Sequence, residues 1–295
     1  KRLNNNNKIN TNYFIDDRFT EDSKRYLNEN KFSCINQQRT FENFYQDIDF
    51  FLAPFGVAPY DVIHKKNIKH IHIIYDIIAI KHPEYFTEDG SKEVASIVQS
   101  LKKDSIIFSI SEHTKNDLLA YRKDLSSEQI TVIPLASDEK FKPTYSKSKI
   151  KKVCKKYNIP LDTPYILSLA TIEIRKNIET VIEAFNYYIT KNPNAKLNLV
   201  LSGMNGWKLE KLQTQLKEYN NIQERIIFTG FVDDCDLPTL YTNAMVFIYM
   251  SRYEGFGLPP LEAMACGVPV ITSNNSSLPE VIGDAGFMFN CDDYV

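Results

Sequence analysis

The sequence predicts an α/β protein built on parallel sheets, and three observations carry that expectation. Apolar runs of strand length alternate with stretches whose apolar residues fall at helical spacing. A loop bearing two glycines follows one such run and opens a helix, the arrangement in which backbone N–H groups can face a ligand. A lysine-rich polar stretch divides the alternation into two parts.

Residues 1–10 are polar and include the unbroken run Asn4 to Asn7, a composition suited to a frayed end. Ile48 to Leu52 reads as a buried strand closed by Pro54 and Gly56. His70 to Tyr75 is a second strand, ending at Asp76, and Ser105 to Ile110 a third. Ser111 is a good N-cap for a helix through Leu118 and Leu119. Ile130 to Leu135 is a fourth strand. Residues 136–162 carry Lys142, Lys147, Lys149, Lys151, Lys152, Lys155 and Lys156, and read as an interdomain connection whose short helix turns its lysines to water.

The second half is more regular. Tyr165 to Leu169 is a strand, followed by a helix through Val181, Ile182, Ala184 and Phe185. Leu197 to Leu201 is the next strand, with Leu209, Leu212 and Leu216 marking an amphipathic helix after it. Arg225 to Phe228, Met245 to Tyr249 and Val268 to Thr272 are strands, with helices at Leu237 to Tyr241 and Leu261 to Ala265. Such alternation means right-handed βαβ units, whose ligands bind beyond the carboxyl ends of the strands.

A chain of 295 residues with 43% hydrophobic content can build two cores. Its formal net charge of −2 offers no basic field for a polyanion, so nucleic acid is not an expected partner. Local basic patches leave room for peripheral contact with an anionic membrane. Cys34, Cys154, Cys235, Cys266 and Cys291 are scattered singly, which argues against a disulfide framework and for a reducing, cytoplasmic setting, including the inner face of a membrane. No apolar run reaches the roughly 18–20 residues of a membrane span, and no leader peptide is visible. The sequence starts at Lys1 without Met and stops at Val295, as expected for a segment of a longer protein.

The chemistry concentrates in two places. In the run Tyr249 to Glu262, Gly255 and Gly257 permit close backbone approach, Pro259 and Pro260 suit a first helical turn, and the helix start favours an anion such as diphosphate. Glu254 and Glu262, the latter assigned to the first helical turn, flank that place and can accept hydrogen bonds from sugar hydroxyls. The alternative is a plain turn with Glu262 serving the helix dipole. After the Tyr165 strand, Thr171 to Asn177 brings Arg175 and Lys176 to a strand's carboxyl end, where they can clamp phosphoryl oxygens and offset charge on a departing diphosphate. The alternative there is a solvated loop with Asn177 capping the next helix. Both clusters should lie at one sheet edge.

At these residues the chain resembles the GT-B retaining glycosyltransferases of family 4. Glu254 to Glu262 matches their E-x7-E motif, and Ala263 to Ile271, Leu278-Pro279-Glu280-Val281 and Ala285-Gly286 continue the pattern. Arg175-Lys176-Asn177 matches their R-K-N element, and Thr229-Gly230-Phe231-Val232 their base-contacting loop. The match is dense from about 165 to 290 and looser from 49 to 135. The resemblance implies two Rossmann-like domains facing a cleft: a partial acceptor-side domain at 1–140, a linker at 141–162, and a donor-binding domain at 163–295.

It further implies that Arg175 and Lys176 hold the donor diphosphate, Glu262 the ribose and the backbone of Val232 the base. Glu254 and the N–H groups of Gly255, Phe256, Gly257 and Leu258 would hold the sugar and distal phosphate. Enzymes of this kind move a hexose from a nucleotide diphosphate-sugar (GDP- or UDP-linked) to a glycan, lipid-linked or protein acceptor, with retained configuration and no metal or further cofactor. Relatives often carry a His-Asp pair where this chain has Tyr75-Asp76, so no catalytic His is assigned and Asp76 joins Glu254, Arg175 and Lys176 as the catalytic candidates. A glycine-rich loop after the first strand and a returning C-terminal helix are both absent, so residues 1–295 are expected to turn over poorly. A non-catalytic subunit that binds donor or a partner enzyme is the alternative.

Four further features receive structural readings. Asp236 of Asp233-Asp234-Cys235-Asp236 is expected to cap a helix instead of holding a metal. His70 and His72 share a strand face as packing residues. His113 serves a helix start. Phe44, Tyr45, Phe50 and Phe51 are core residues instead of a base-stacking platform.

Overall fold

The structure, a computed structural model, describes residues 48–57, 64, 67–169, 173–203, 216, 219 and 221–293, with the backbone of 13–15 and 34–36. Asn4 to Asn7, Phe44, Tyr45, Thr171, Ile172, Leu209 and Leu212 lie outside the described residues. The described residues fall into two compact units. In the first, β1 (Tyr13–Ile15) pairs in parallel with β2 (Cys34–Asn36), and the Lys69 N–H donates to the Asp49 carbonyl at 3.0 Å. Strands β3 (Phe50–Pro54) and β4 (Lys69–Ile74) begin among this unit's residues and end among those of the second.

The second unit carries two sheets. One is four-stranded, in the order β3, β4, β5 (Ile106–Ser109), β6 (Ile130–Val132). Its β4–β5 and β5–β6 pairs are parallel. Helices α1 (Ile78–Lys81), α2 (Glu88–Gln99) and α3 (Glu112–Tyr121) accompany it. The cap expected of Ser111 is present: its Oγ accepts the Thr114 N–H at 3.0 Å. Helix α2 is an addition to the sequence expectations. Thr87 caps it, Glu88 and Asp89 favour its positive end, and Val94, Ile97 and Val98 pack with Ile74, Ile107 and Leu118. Strand β6 stops at Val132, short of the expected Leu135, because Pro134 has no N–H to offer a ladder. Phe50, expected in the core, is 54% exposed.

The other sheet has six strands, all parallel: β7 (Tyr165–Leu169), β8 (Asn198–Ser202), β9 (Ile226–Gly230), β10 (Val246–Tyr249), β11 (Val270–Ser273) and β12 (Phe287–Phe289). Their spatial order is β12-β11-β10-β7-β8-β9, the doubly wound order with its reversal between β7 and β10. Helices α4 (Lys147–Lys156), α5 (Ile178–Lys191), α6 (Leu237–Asn243), α7 (Leu258–Ala265) and α8 (Leu278–Ile282) go with it. Every residue of β8 is buried, as a strand covered on both faces requires. Successive side chains alternate: Leu199 and Leu201 join Ile178, Val181, Ile182 and Phe185, whereas Val200 joins Leu167, Tyr241, Phe247 and Ala263. Truncating one such buried leucine costs about 2–5 kcal/mol, so these two layers hold the loops at the sheet edge in place.

Candidate functional site

In a doubly wound sheet ligands bind where the strand order reverses, at the carboxyl ends of the flanking strands, here β7 and β10, and both sequence clusters follow those strands. Beyond β7, Arg175 and Lys176 occupy a short helical turn, Ile174–Lys176. Beyond β10 comes the loop with Glu254. Arg175 Nη1 lies 2.9 Å from Glu254 Oε2, and Lys176 Nζ 2.7 Å from Oε1. Ser251 Oγ and Tyr249 OH also donate to Oε1, at 2.6 and 2.7 Å. Burial by itself would raise the Glu254 pKa, but Lys176 and Arg175 outweigh it and bring the carboxyl down to about 2. Burial lowers the Lys176 pKa. The guanidinium of Arg175 is held charged, its burial outweighed by Glu254. Arg175 Nη1 additionally donates to the Tyr253 carbonyl at 2.7 Å. Its Nε is buried with no acceptor among the described residues.

Local geometry explains how the chain presents these groups. Asn177 adopts a left-handed conformation, φ 53°, which Asn tolerates better than most residues. It stands at the start of α5, yet its side chain caps no amide there. Instead Nδ2 donates to the carbonyls of Met250 and Cys291, and Oδ1 accepts from Arg252 and Thr180, which ties the β7 turn to the β10 loop. Ser276 Oγ accepts the Glu254 N–H, and Ser277 Oγ donates to the Glu254 and Phe256 carbonyls.

Gly257 has φ 123°, a backbone conformation that favours glycine, and a Cβ there would come 2.8 Å from the end of the Leu278 side chain. Gly255 is constrained by packing as well: a Cβ would lie 2.6 Å from the Tyr75 carbonyl oxygen and 2.8 Å from Asp76 Cβ. Helix α7 starts at Leu258 with Pro259 and Pro260 in its first turn, and the N–H groups of Gly255, Phe256 and Gly257 meet no acceptor among the described residues. Because the helix begins three residues before the expected Leu261, Glu262 lies in its second turn, a correction to the first-turn assignment. Burial pushes the Glu262 carboxyl up to about 7, and Tyr241 OH is its partner at 3.3 Å. Val232 is buried in the core at 4% exposure.

Asp76 is next to this loop. Its Oδ1 accepts the Ile78 N–H at 3.0 Å, and burial raises its pKa. Ser111 and Thr114, at the start of α3, donate to the Gly255 carbonyl at 2.7 and 3.3 Å. The N–H groups of Glu112 and His113 donate to the Glu280 carboxylate at 2.9 and 3.1 Å. His113 thus serves the helix start through its backbone, while its ring nitrogen Nε2 meets Tyr253 OH at 2.7 Å. The sequence reading passed over Tyr253, Asp117, Lys81 and the capping role of Glu280. The four-residue spacing of His113 and Asp117 was the available signal, since it puts both on one helix face.

Asp236 departs from its expected role as a cap. Its carboxylate is taken by Lys156 Nζ at 2.6 Å and Tyr157 OH at 3.0 Å and caps no amide. Lys156 also pairs with Asp233, and Lys140 with Asp234, so Lys156 is an anchor and not merely a solvated lysine. His70 and His72 are buried. Among the described residues no three His, Cys, Asp or Glu side chains converge as metal ligands, and no helix is long and apolar enough to cross a membrane.

Residues 149–294 match the family model described as glycosyl transferases group 1. The chain is 36% identical over 220 residues to O-antigen chain mannosyltransferase B of Escherichia coli, covering 74% of this chain and 56% of that protein. It is 34% identical over 225 residues to the serotype-specific mannosyltransferase WbdA of Escherichia coli, covering 75% of this chain and 27% of that one. The chain therefore spans about half, or less, of these relatives. Among solved structures it superposes on Anabaena HepE in complex with UDP and glucose with a TM-score of 0.70, at 16% identity, over 94% of this chain and 77% of that one. A glycosyltransferase from Rickettsia africae gives a TM-score of 0.69 at 20% identity, over 92% and 74%. With parallel sheets, the reversal in strand order and these matches together, the chain has the fold of the GT-B glycosyltransferases, and its residues 149–294 are similar to the glycosyl transferases group 1 family.

Proposed function

We propose that this chain carries the donor site of a retaining, metal-independent glycosyltransferase of family 4. In this reading it moves a hexose, mannose on the analogy of its relatives, from a GDP- or UDP-sugar to a glycan, lipid-linked or protein acceptor. The observation that carries the proposal is the Arg175–Glu254–Lys176 ion pair at the β7–β10 reversal, beside the glycine-bearing start of α7. A buried cationic pair beside backbone amides that meet no acceptor among the described residues suits a diphosphate. Domain limits of 1–140, 141–162 and 163–295 go with this reading, as does a cytoplasmic setting with peripheral membrane contact.

The chemistry assigns each residue a task. The bond from the anomeric carbon to the diphosphate oxygen breaks, the acceptor hydroxyl bonds to that carbon on the same face, and its proton passes to the departing diphosphate. Arg175 and Lys176 offset the charge that builds on the leaving oxygens. Glu254 keeps that pair aligned and has only Oε2, where Arg175 is the sole donor among the described residues, left to meet a sugar hydroxyl. Glu262 binds the ribose, the Val232 backbone meets the base, and Asp76 flanks the reacting sugar. Supplying GDP- and UDP-linked hexoses with a mannan-type acceptor tests the whole reading. Mannosyl transfer with retained configuration supports it, and an inverted product contradicts the mechanism. Donor-induced stabilisation without transfer in the longer natural chain would favour a non-catalytic, donor-binding subunit.

A further inference from the structure

One cluster beside the site has no part in the scheme above. The phenol oxygen of Tyr253 donates to Asp117 Oδ2, accepts from Lys81 Nζ at 2.8 Å and lies 2.7 Å from His113 Nε2, which donates to it in the Nε2–H tautomer. Lys81 also pairs with Asp117 and lies over the Tyr253 ring. The rings of His82 and His113 pack on it with centroids 4.9 and 5.2 Å away. Three side chains therefore use all the hydrogen-bonding capacity of one hydroxyl, and burial with the Asp117 bond keeps that hydroxyl protonated. All three come from the segment that follows β4 and β5. The carbonyl of the same residue accepts from Arg175 Nη1, and the next residue is Glu254, the other partner of Nη1.

We propose that Tyr253 is a positioning residue: the Lys81–His113–Asp117 cluster holds its side chain so that its carbonyl aims Arg175 at the donor's distal phosphate. The inference rests on the donor-site reading and assigns its alignment to residues outside the donor-binding half. Among the described residues Arg175 Nη1 has two acceptors, the Glu254 carboxylate and the Tyr253 carbonyl, and it is the second residue's own side chain that the segment after β4 and β5 grips. Tyr253→Phe keeps the ring and the carbonyl but strips three hydrogen bonds, which lets the loop and the guanidinium drift together.

Calorimetric titration of GDP and GMP, with UDP and UMP in parallel, tests this on the full chain. Wild-type protein should prefer the diphosphate, and Tyr253→Phe should weaken diphosphate binding about tenfold, the scale of one charge-assisted hydrogen bond. Monophosphate binding should change by less than about twofold, and the loss should vanish in an Arg175→Ala background, because the two residues act as one unit. Asp117→Asn, a milder change to the same cluster, should reproduce a smaller loss with the same selectivity. Equal losses for mono- and diphosphate, or a loss that adds fully to that of Arg175→Ala, would make Tyr253 mere packing and overturn the inference alone. A wild-type protein with no diphosphate preference would overturn the donor-site reading and this inference with it.

Discussion

Glu254 accepts from four side chains while fully enclosed. Its removal strands two buried cations, which typically costs about 3–5 kcal/mol. Glu254→Gln should therefore lower stability in chemical denaturation, whereas a residue that touched only the sugar would leave the unfolding midpoint in place. The pH dependence has a definite sign. With a folded-state pKa of about 2 against an ordinary 4.5, the stability from Glu254 is present above pH 4.5 and is lost as pH falls toward 2. Glu262 runs the other way. Raised from 4.5 to about 7, it contributes stability below pH 4.5 that is lost as pH rises through 7. Glu262→Gln should remove that slope between pH 4.5 and 7 in unfolding curves. If ribose hydroxyls bond to this carboxylate, Glu262→Ala should weaken nucleotide binding by about 1–3 kcal/mol, and unchanged affinity in a titration would refute the ribose assignment.

At the scale of elements, the β10–α7 loop is held from three sides: by Asn177, by Ser276 and Ser277, and by the start of α3. Gly255 is the tightest point. A methyl group there meets backbone and cannot be relieved by rotating a side chain, so Gly255→Ala should cost about 1–3 kcal/mol by overpacking and shift the loop from Asp76. Thermal unfolding identical to wild type would show that the loop has slack. This element also shows what the sequence could and could not reveal. Strand and helix positions were legible from periodicity, because β7, β8 and α5 bury continuous apolar stripes. The apolar run Leu261 to Ala265 marked only the body of α7, although Pro259 and Pro260 already suited its first turn. Helix α2 went unread although Thr87-Glu88-Asp89 marks its start. The packing constraint on Gly255 was out of reach, since it comes from Tyr75 and Asp76, far away in sequence.

For the whole molecule, the reversal of strand order between β7 and β10 brings distant motifs together. The adjacency of Arg175, Lys176 and Glu254 follows from the topology that the alternating pattern predicted. Partner choice within it did not follow: that Lys156 claims Asp236, or that Tyr253 reaches Lys81, His113 and Asp117, depends on tertiary packing that no local spacing encodes. Arg175→Ala should reduce the rate of sugar transfer more than donor affinity, because leaving-group charge is greatest in the transition state. Equal losses in both would remove it from that role. A crystal structure with a nucleotide diphosphate-sugar bound tests the central claim most directly. The account predicts diphosphate oxygens within about 3 Å of Arg175 and Lys176, with the distal phosphate over the amides that open α7. A nucleotide bound away from the β7–β10 reversal, with the Arg175–Glu254–Lys176 cluster untouched, would contradict it.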